Sequence, residues 1–155
     1  GYPVRGIVRK DFIYLNNFEP TRWPACNPET GYLNVDASPT KSFILDAHRG
    51  DSGNRHWAYC FGRRPAEELY DLARDPDCLE NLAGMLPEKR DSMRQDLFRR
   101  LRAQQDPRME GRGELFDKYL HSNVQHRNFY DRYMKGEKLK AGWVRDTDFE
   151  KKPID

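Results

Sequence analysis

Apolar residues fall into short blocks along the chain. Val4, Ile7 and Val8 form one block, and Phe12, Ile13, Tyr14 and Leu15 form a second. Both are rich in β-branched or aromatic side chains, and read as strands Val4 to Arg9 and Phe12 to Leu15 they are joined by Lys10-Asp11 alone. This is hairpin spacing, although the pair lacks the usual Gly or Asn. Residues 16–37 then lose all period and hold Pro20, Pro24, Pro28 and Gly31. They read as one long irregular loop, a length that is uncommon unless the loop is functional or lies against another surface.

Helical patterning begins at Ser38-Pro39, with Ser as N-cap and Pro in the first turn. Phe43, Ile44 and Ala47 are expected on one face, and Gly50 ends the helix. A turn over residues 51–54 leads to a short helix from Arg55 to Phe61, burying Trp57, Tyr59 or Phe61 in part. Glu67 to Leu72 is extended, and Leu69, Tyr70 and Leu72 give it apolar surface on both faces. Asp75-Pro76 stops it, and Leu79 and Leu82 return to the core. Pro87 opens the longest helix, to about Gln105, whose narrow stripe is Met93, Leu97, Phe98 and Leu101. Asp106-Pro107 ends it.

Beyond this point the core signal thins. Leu115, Phe116, Tyr119 and Leu120, and then Phe129, Tyr130, Tyr133 and Met134, suggest isolated helical turns. Residues 137–155 are polar around Trp143-Val144. The predicted class is α+β: a small antiparallel sheet of three or four strands, helices on one face, and a long extended C-terminal tail. Residues 1–107 form the expected core and 108–155 an extension that packs on another domain or a second subunit.

Composition sharpens that expectation. Only 37% of the 155 residues are hydrophobic and 34% are charged, with a mean hydropathy of −1.01. So thin a core means either disorder or a surface built to lie on something else. Three Trp, eight Tyr and eight Phe favour the second. The net charge of +2, from 27 basic and 25 acidic residues, is interspersed, which argues against a nucleic-acid partner. No apolar run approaches the roughly 20 residues of a membrane span, and no leader pattern is seen. The chain opens directly on a strand-like segment, as expected of an excised fragment, so that absence carries no information on location. Cys26, Cys60 and Cys78 are too few for a disulfide framework or a zinc site; a single disulfide remains compatible with their number.

Several segments resemble one family. Glu68-Leu69-Tyr70-Asp71-Leu72, then Asp75-Pro76, then Glu80-Asn81-Leu82-Ala83 is similar to the C-terminal subdomain signature of the formylglycine-dependent sulfatases. Tyr2 to Arg9 followed by Phe12 to Phe18 resembles the segment that opens that subdomain. Trp23-Pro24, Asn27-Pro28-Glu29-Thr30-Gly31-Tyr32 and Ser38-Pro39-Thr40-Lys41 resemble the bacterial branch related to heparan N-sulfatase, and Asn128 to Val144 resembles that branch's C-terminal extension. The resemblance implies the alkaline-phosphatase-like sulfatase architecture, with hydrolysis of a sulfate ester or sulfamate on a sulfated carbohydrate. It also implies a periplasmic or secreted parent. Calcium and a formylglycine nucleophile would belong to the parent's catalytic domain, which becomes the expected partner, alongside a sulfated sugar and a second copy of the chain.

The chemistry can be checked against that implication. Formylglycine is made from cysteine in Cys-x-Pro-x-Arg. Cys26 has Pro28 but Thr30 in the Arg position, Cys60 has Arg64 but Gly62 in the Pro position, and Cys78 has neither. No Asp-Asp pair for calcium occurs. No residue here is therefore expected to be catalytic or to bind metal, and the 155 residues alone are expected to be inactive. The resemblance implies that this subdomain can line a side of the substrate pocket, which makes Arg22, Trp23 and Asn27 in the loop and Lys41 after it candidate substrate contacts: Arg suits sulfate and carboxylate, and Trp offers a stacking face to a sugar. The alternative is a loop merely pinned by Trp23 and its prolines. His48-Arg49 and the Arg55-His56-Trp57 run read as helix-end charge, and His121 and His126 as solvated. Glu67 and Glu68 point to opposite faces and cannot share a site. Arg99, Arg100 and Arg102 read as a solvated face offset by Glu88, Asp91 and Asp96. A free-standing module binding a polyanionic glycan or a partner protein is the competing function.

Overall fold

The computed structural model describes residues 3–154; Gly1, Tyr2 and Asp155 lie outside the described residues. Strands β1 (Val4–Arg9), β2 (Phe12–Asn17) and β3 (Glu67–Asp71) form one antiparallel sheet in that order. The hairpin register sets Val4 opposite Asn17 and Arg9 opposite Phe12. Its turn holds Lys10 at φ 52°, a left-handed conformation that costs a non-glycine residue about 1 kcal/mol.

β3 pairs with β2, setting Leu69 opposite Tyr14. No fourth strand is needed on its outer side, because residues 81–83 satisfy that edge. Asn81 Oδ1 accepts the N–H groups of Leu69 and Ala83, both at 3.0 Å, and Asn81 Nδ2 donates to the Glu67 carbonyl. The Leu82 N–H donates to the Leu69 carbonyl at 2.8 Å. Residues 67–83 are thus strand, turn and edge cover in one piece.

α1 (Pro39–Gly50), α2 (Arg55–Phe61), α3 (Pro87–Ala103) and α4 (Phe129–Met134) complete the α+β fold, with short 3₁₀ turns between them. The contacts divide the chain into two compact units. Gly1–Pro20 groups with Arg64–Tyr119, and Thr21–Arg63 with Leu120–Asp155. Residues 108–119 thus group with the sheet, apart from the remainder of the C-terminal stretch.

In the first unit α3 lays its predicted stripe on the sheet. Met93, Leu97 and Leu101 are buried with Tyr14, Leu69 and Ala83. The helix ends with Gln105 at φ 56°. Gln105 N–H bonds to the Arg102 carbonyl and Asp106 N–H to the Leu101 carbonyl, a Schellman closure with Gln in the place where Gly is usual. The Asp106 carboxylate accepts Arg5 Nε at 2.6 Å and the Arg108 N–H at 2.9 Å, tying the helix end to β1.

The second unit is built on Tyr32, Leu45, Trp57, Phe61 and Ala25. Ser38 caps α1 by accepting the Lys41 N–H, and Asn54 caps α2 by accepting the Trp57 N–H. Of the face expected of α1, Ile44 packs on the core but Phe43 is 71% exposed, while Leu45 and Lys41 are buried. The inward face runs 41, 45, 48, and its cation is satisfied internally, which a purely apolar reading could not anticipate. In α2, Trp57 and Phe61 are buried one turn apart and Tyr59 is exposed.

The tail's expected extended course is not seen in residues 120–154. They fold against 21–63 within this unit. Trp143 accepts the Ala37 N–H on its carbonyl, and the Glu150 N–H donates to the Pro28 carbonyl. Cys26, Cys60 and Cys78 are free thiols. Among the described residues no helix is long and apolar enough to cross a membrane.

Candidate functional site

The loop after β2 is shaped by a buried lysine. Lys41 Nζ donates to the carbonyls of Gly31 at 2.8 Å and Val35 at 2.7 Å and pairs with Asp148 Oδ2 at 3.1 Å. An ammonium group has three protons, and all three are engaged in a site where both side chains are almost wholly buried. Lys41 therefore cannot meet a ligand. This corrects its expected substrate contact: it binds the loop and the C-terminal stretch together.

The fold those contacts impose opens a cavity of about 560 Å³. One wall comes from the loop, with Arg22, Trp23, Cys26, Asn27 and Asn34. The other comes from His121, His126, Phe129, Tyr130 and Trp143. Arg22 and Trp23 thus share one cavity, and Lys41 stands outside it. Trp23 is also held from within its unit: the Arg63 guanidinium lies 4.3 Å from its ring centre, and Trp57 meets it edge-on at 6.1 Å. Pinning and lining coexist in this residue.

The C-terminal wall is equally fixed. Trp143 Nε1 donates to the Leu33 carbonyl at 2.7 Å. The His126 ring stands edge-on to Trp143 at 4.7 Å and to His121 at 5.6 Å. His121 Nδ1 lies 3.1 Å from the Asn123 N–H and 3.3 Å from the Asn123 carbonyl, which holds the ring against its own turn. His126 Nδ1 is buried with no hydrogen-bond partner. Trp143, Tyr130 and the two histidines are not expected at a site from the sequence. Their signal there is only that of polar-flanked aromatics lacking an evident core.

Cys26 borders the cavity at φ 66°. Burial pushes its thiol up, against the smaller opposing pull of a backbone hydrogen bond with Asn34. A thiol so placed is a poor nucleophile. Thr30, in the position where the modification motif has Arg, is buried and donates its hydroxyl to the Asn27 carbonyl at 3.0 Å. Elsewhere, Glu67 accepts from Tyr14 and Arg94, whereas Glu68 accepts from Tyr70 and Arg64, so the two acids serve separate structural networks. His48 stacks on Trp57 at 3.8 Å. Among the described residues no three or more His, Cys, Asp or Glu side chains gather as metal ligands.

The cavity offers an arginine, amide groups, imidazoles and indole surface. That set suits a sugar bearing an anionic substituent, with orientation by polar groups and area from aromatic rings. Comparison of the chain with protein-family models, with curated proteins and with solved structures yields no match.

Proposed function

We propose that this chain is the C-terminal portion of a formylglycine-dependent sulfatase acting on a sulfated carbohydrate. In this reading the chain supports the fold and contributes one wall of the substrate pocket. The nucleophile and calcium belong to a catalytic domain of the same protein, in the periplasm or outside the cell. The observation that carries the reading is convergence. The Trp23 to Tyr32 stretch and the Asn128 to Val144 stretch resemble the same family separately, and they build opposite walls of one cavity.

The chemistry within the chain favours binding over turnover. A neutral Cys26 thiol beside an internally bonded Thr30 supplies no activated nucleophile. Arg22 holds an anion equally well before and during reaction, which lowers KM without raising kcat. In the intact protein, Arg22→Ala and Trp143→Ala should raise KM for a glucosamine N-sulfate or aryl sulfate substrate about tenfold, with kcat little changed. A coding sequence with no Cys-x-Pro-x-Arg upstream of Gly1 would remove the reading.

A free-standing glycan-binding module is the second reading. It is favoured by the cavity's being lined entirely by residues of one compact unit, so that a ligand needs no second domain to be held. Binding without any upstream nucleophile motif is its signature.

A further inference from the structure

The first unit carries a cationic cluster that neither the cavity nor the packing of the sheet explains. Asp96 on α3 is buried, and Arg9 of β1 lies 3.2 Å from it. Arg99 and Arg100, one turn further along α3, pair with the same carboxylate. One negative charge thus meets three guanidinium groups. Burial pushes the Asp96 carboxyl up, but the hydrogen bond from Arg100 and the charges of Arg100, Arg99 and Arg9 outweigh it and hold the carboxyl below its usual range.

The surplus extends towards the hairpin. A cleft of about 400 Å³ lies there, lined by Arg9, Lys10, Phe12, Lys89 and Ser92, with Asp11 as the acid in its lining. The Lys89 ammonium sits 4.6 Å from the centre of the Phe12 ring. Lys10 and Lys89 have no carboxylate partner among the described residues. Five cations therefore meet three acids: Asp96, Asp11 and Glu88, the last sharing a neighbouring hollow with Lys89 and Ser92. Three of the five side chains that meet at Asp96 or the cleft remain more than half exposed despite their pairing: Arg9, Arg99 and Arg100. Lys89 and Arg100 lie eleven positions apart on one helix, a rise of about 16 Å. The strip is longer than a single anion and matches a chain that carries several.

We propose that this strip is a second binding site, and that its ligand is a sulfated oligosaccharide. The geometry argues against nucleic acid. Single strands are held by exposed aromatic platforms, and Phe12, the aromatic ring in the cleft, already faces Lys89. Separate ammonium and guanidinium groups spaced along a rod suit discrete sulfate groups on a sugar backbone. The choice of sulfate over phosphate rests on the sulfatase reading; the anion site itself does not.

The test is a direct binding titration of the whole chain with a heparin-derived decasaccharide at two salt concentrations. Its desulfated, N-acetylated counterpart and a single-stranded DNA of similar charge are the comparison ligands. The sulfated decasaccharide should bind with strong salt dependence and the desulfated one should not. The double variant Lys10→Gln/Lys89→Gln should weaken binding about tenfold and flatten the salt slope by about two. Arg99→Gln, on a largely exposed side chain, should give a smaller loss of the same kind, and thermal melts confirm that each variant folds. Lys138→Gln, an exposed lysine that lines neither the cleft nor the cavity, should leave the slope nearly unchanged. Absence of binding, binding indifferent to the lysine and Arg99 variants, or equal affinity for the DNA would overturn the proposal. Because no turnover is read, the result is independent of whether a nucleophile lies upstream.

Discussion

At the residue scale, the buried Lys41–Asp148 pair is the most consequential contact. A buried charge left without its partner is strongly unfavourable, typically by about 3–5 kcal/mol. Lys41→Met should therefore destabilise the second unit by about that amount, measured by urea unfolding of the whole chain. Adding Asp148→Leu should recover part of the loss. A change below about 0.5 kcal/mol in the single variant would mean the pair is solvated. Tyr70 makes a comparable test in the sheet. It is buried and its hydroxyl donates to Glu68. Tyr70→Ala should cost about 3–5 kcal/mol, and Tyr70→Phe about 1 kcal/mol.

Acid sensitivity belongs to this scale as well. Burial pushes the Asp106 carboxyl up, but hydrogen bonds from Arg5 and the Arg108 N–H, with the charges of both arginines, hold it below its usual range. A carboxyl depressed on folding stabilises the fold at pH above its unfolded value of about 3.9. That stabilisation is lost as pH falls through the lower folded value. Asp106→Asn should therefore lower the urea midpoint at pH 6 and flatten its decline between pH 5 and 3. An equal decline in both proteins would assign acid unfolding to other groups.

At the scale of elements, the sheet shows how local sequence and edge chemistry cooperate. Asn81 satisfies three backbone groups on or beside β3. Asn81→Ala should cost about 1–2 kcal/mol and speed amide exchange at Leu69, while leaving the β1–β2 pairing protected. Much of this level is legible in the sequence. The hairpin, β3, α3 and its stripe follow from period and from proline stops. The features that are not legible have a common cause. The phase of α1 escapes the apolar pattern because its inward face includes a charged residue whose partner lies over a hundred positions away. Likewise the cavity joins residues 22–34 to 121–143, and neither stretch has a period of its own. Arg22 and Trp23 are readable as candidates, whereas Trp143 and His126 acquire meaning only once the chain has folded back.

At the scale of the whole chain, the thin hydrophobic composition is met by two small cores of about half a dozen buried residues each. Small cores leave apolar surface uncovered. Phe43, Tyr119, Leu120 and Val124 all remain more than 60% exposed. The C-terminal aromatics find partners inside the chain, as Phe129 and Phe149 do through Tyr133. The proposed function requires the second unit to bind a sulfated sugar without cleaving it. The most direct measurement is an NMR titration of the chain with glucosamine N-sulfate and with unsulfated glucosamine, observing the tryptophan indole N–H signals and the sugar together. Saturable shifts at Trp23 and Trp143 are expected with the sulfated sugar alone, lost in Arg22→Ala, and the sugar should stay intact. Shifts absent with both sugars, or release of sulfate that disappears in Cys26→Ala, would contradict it.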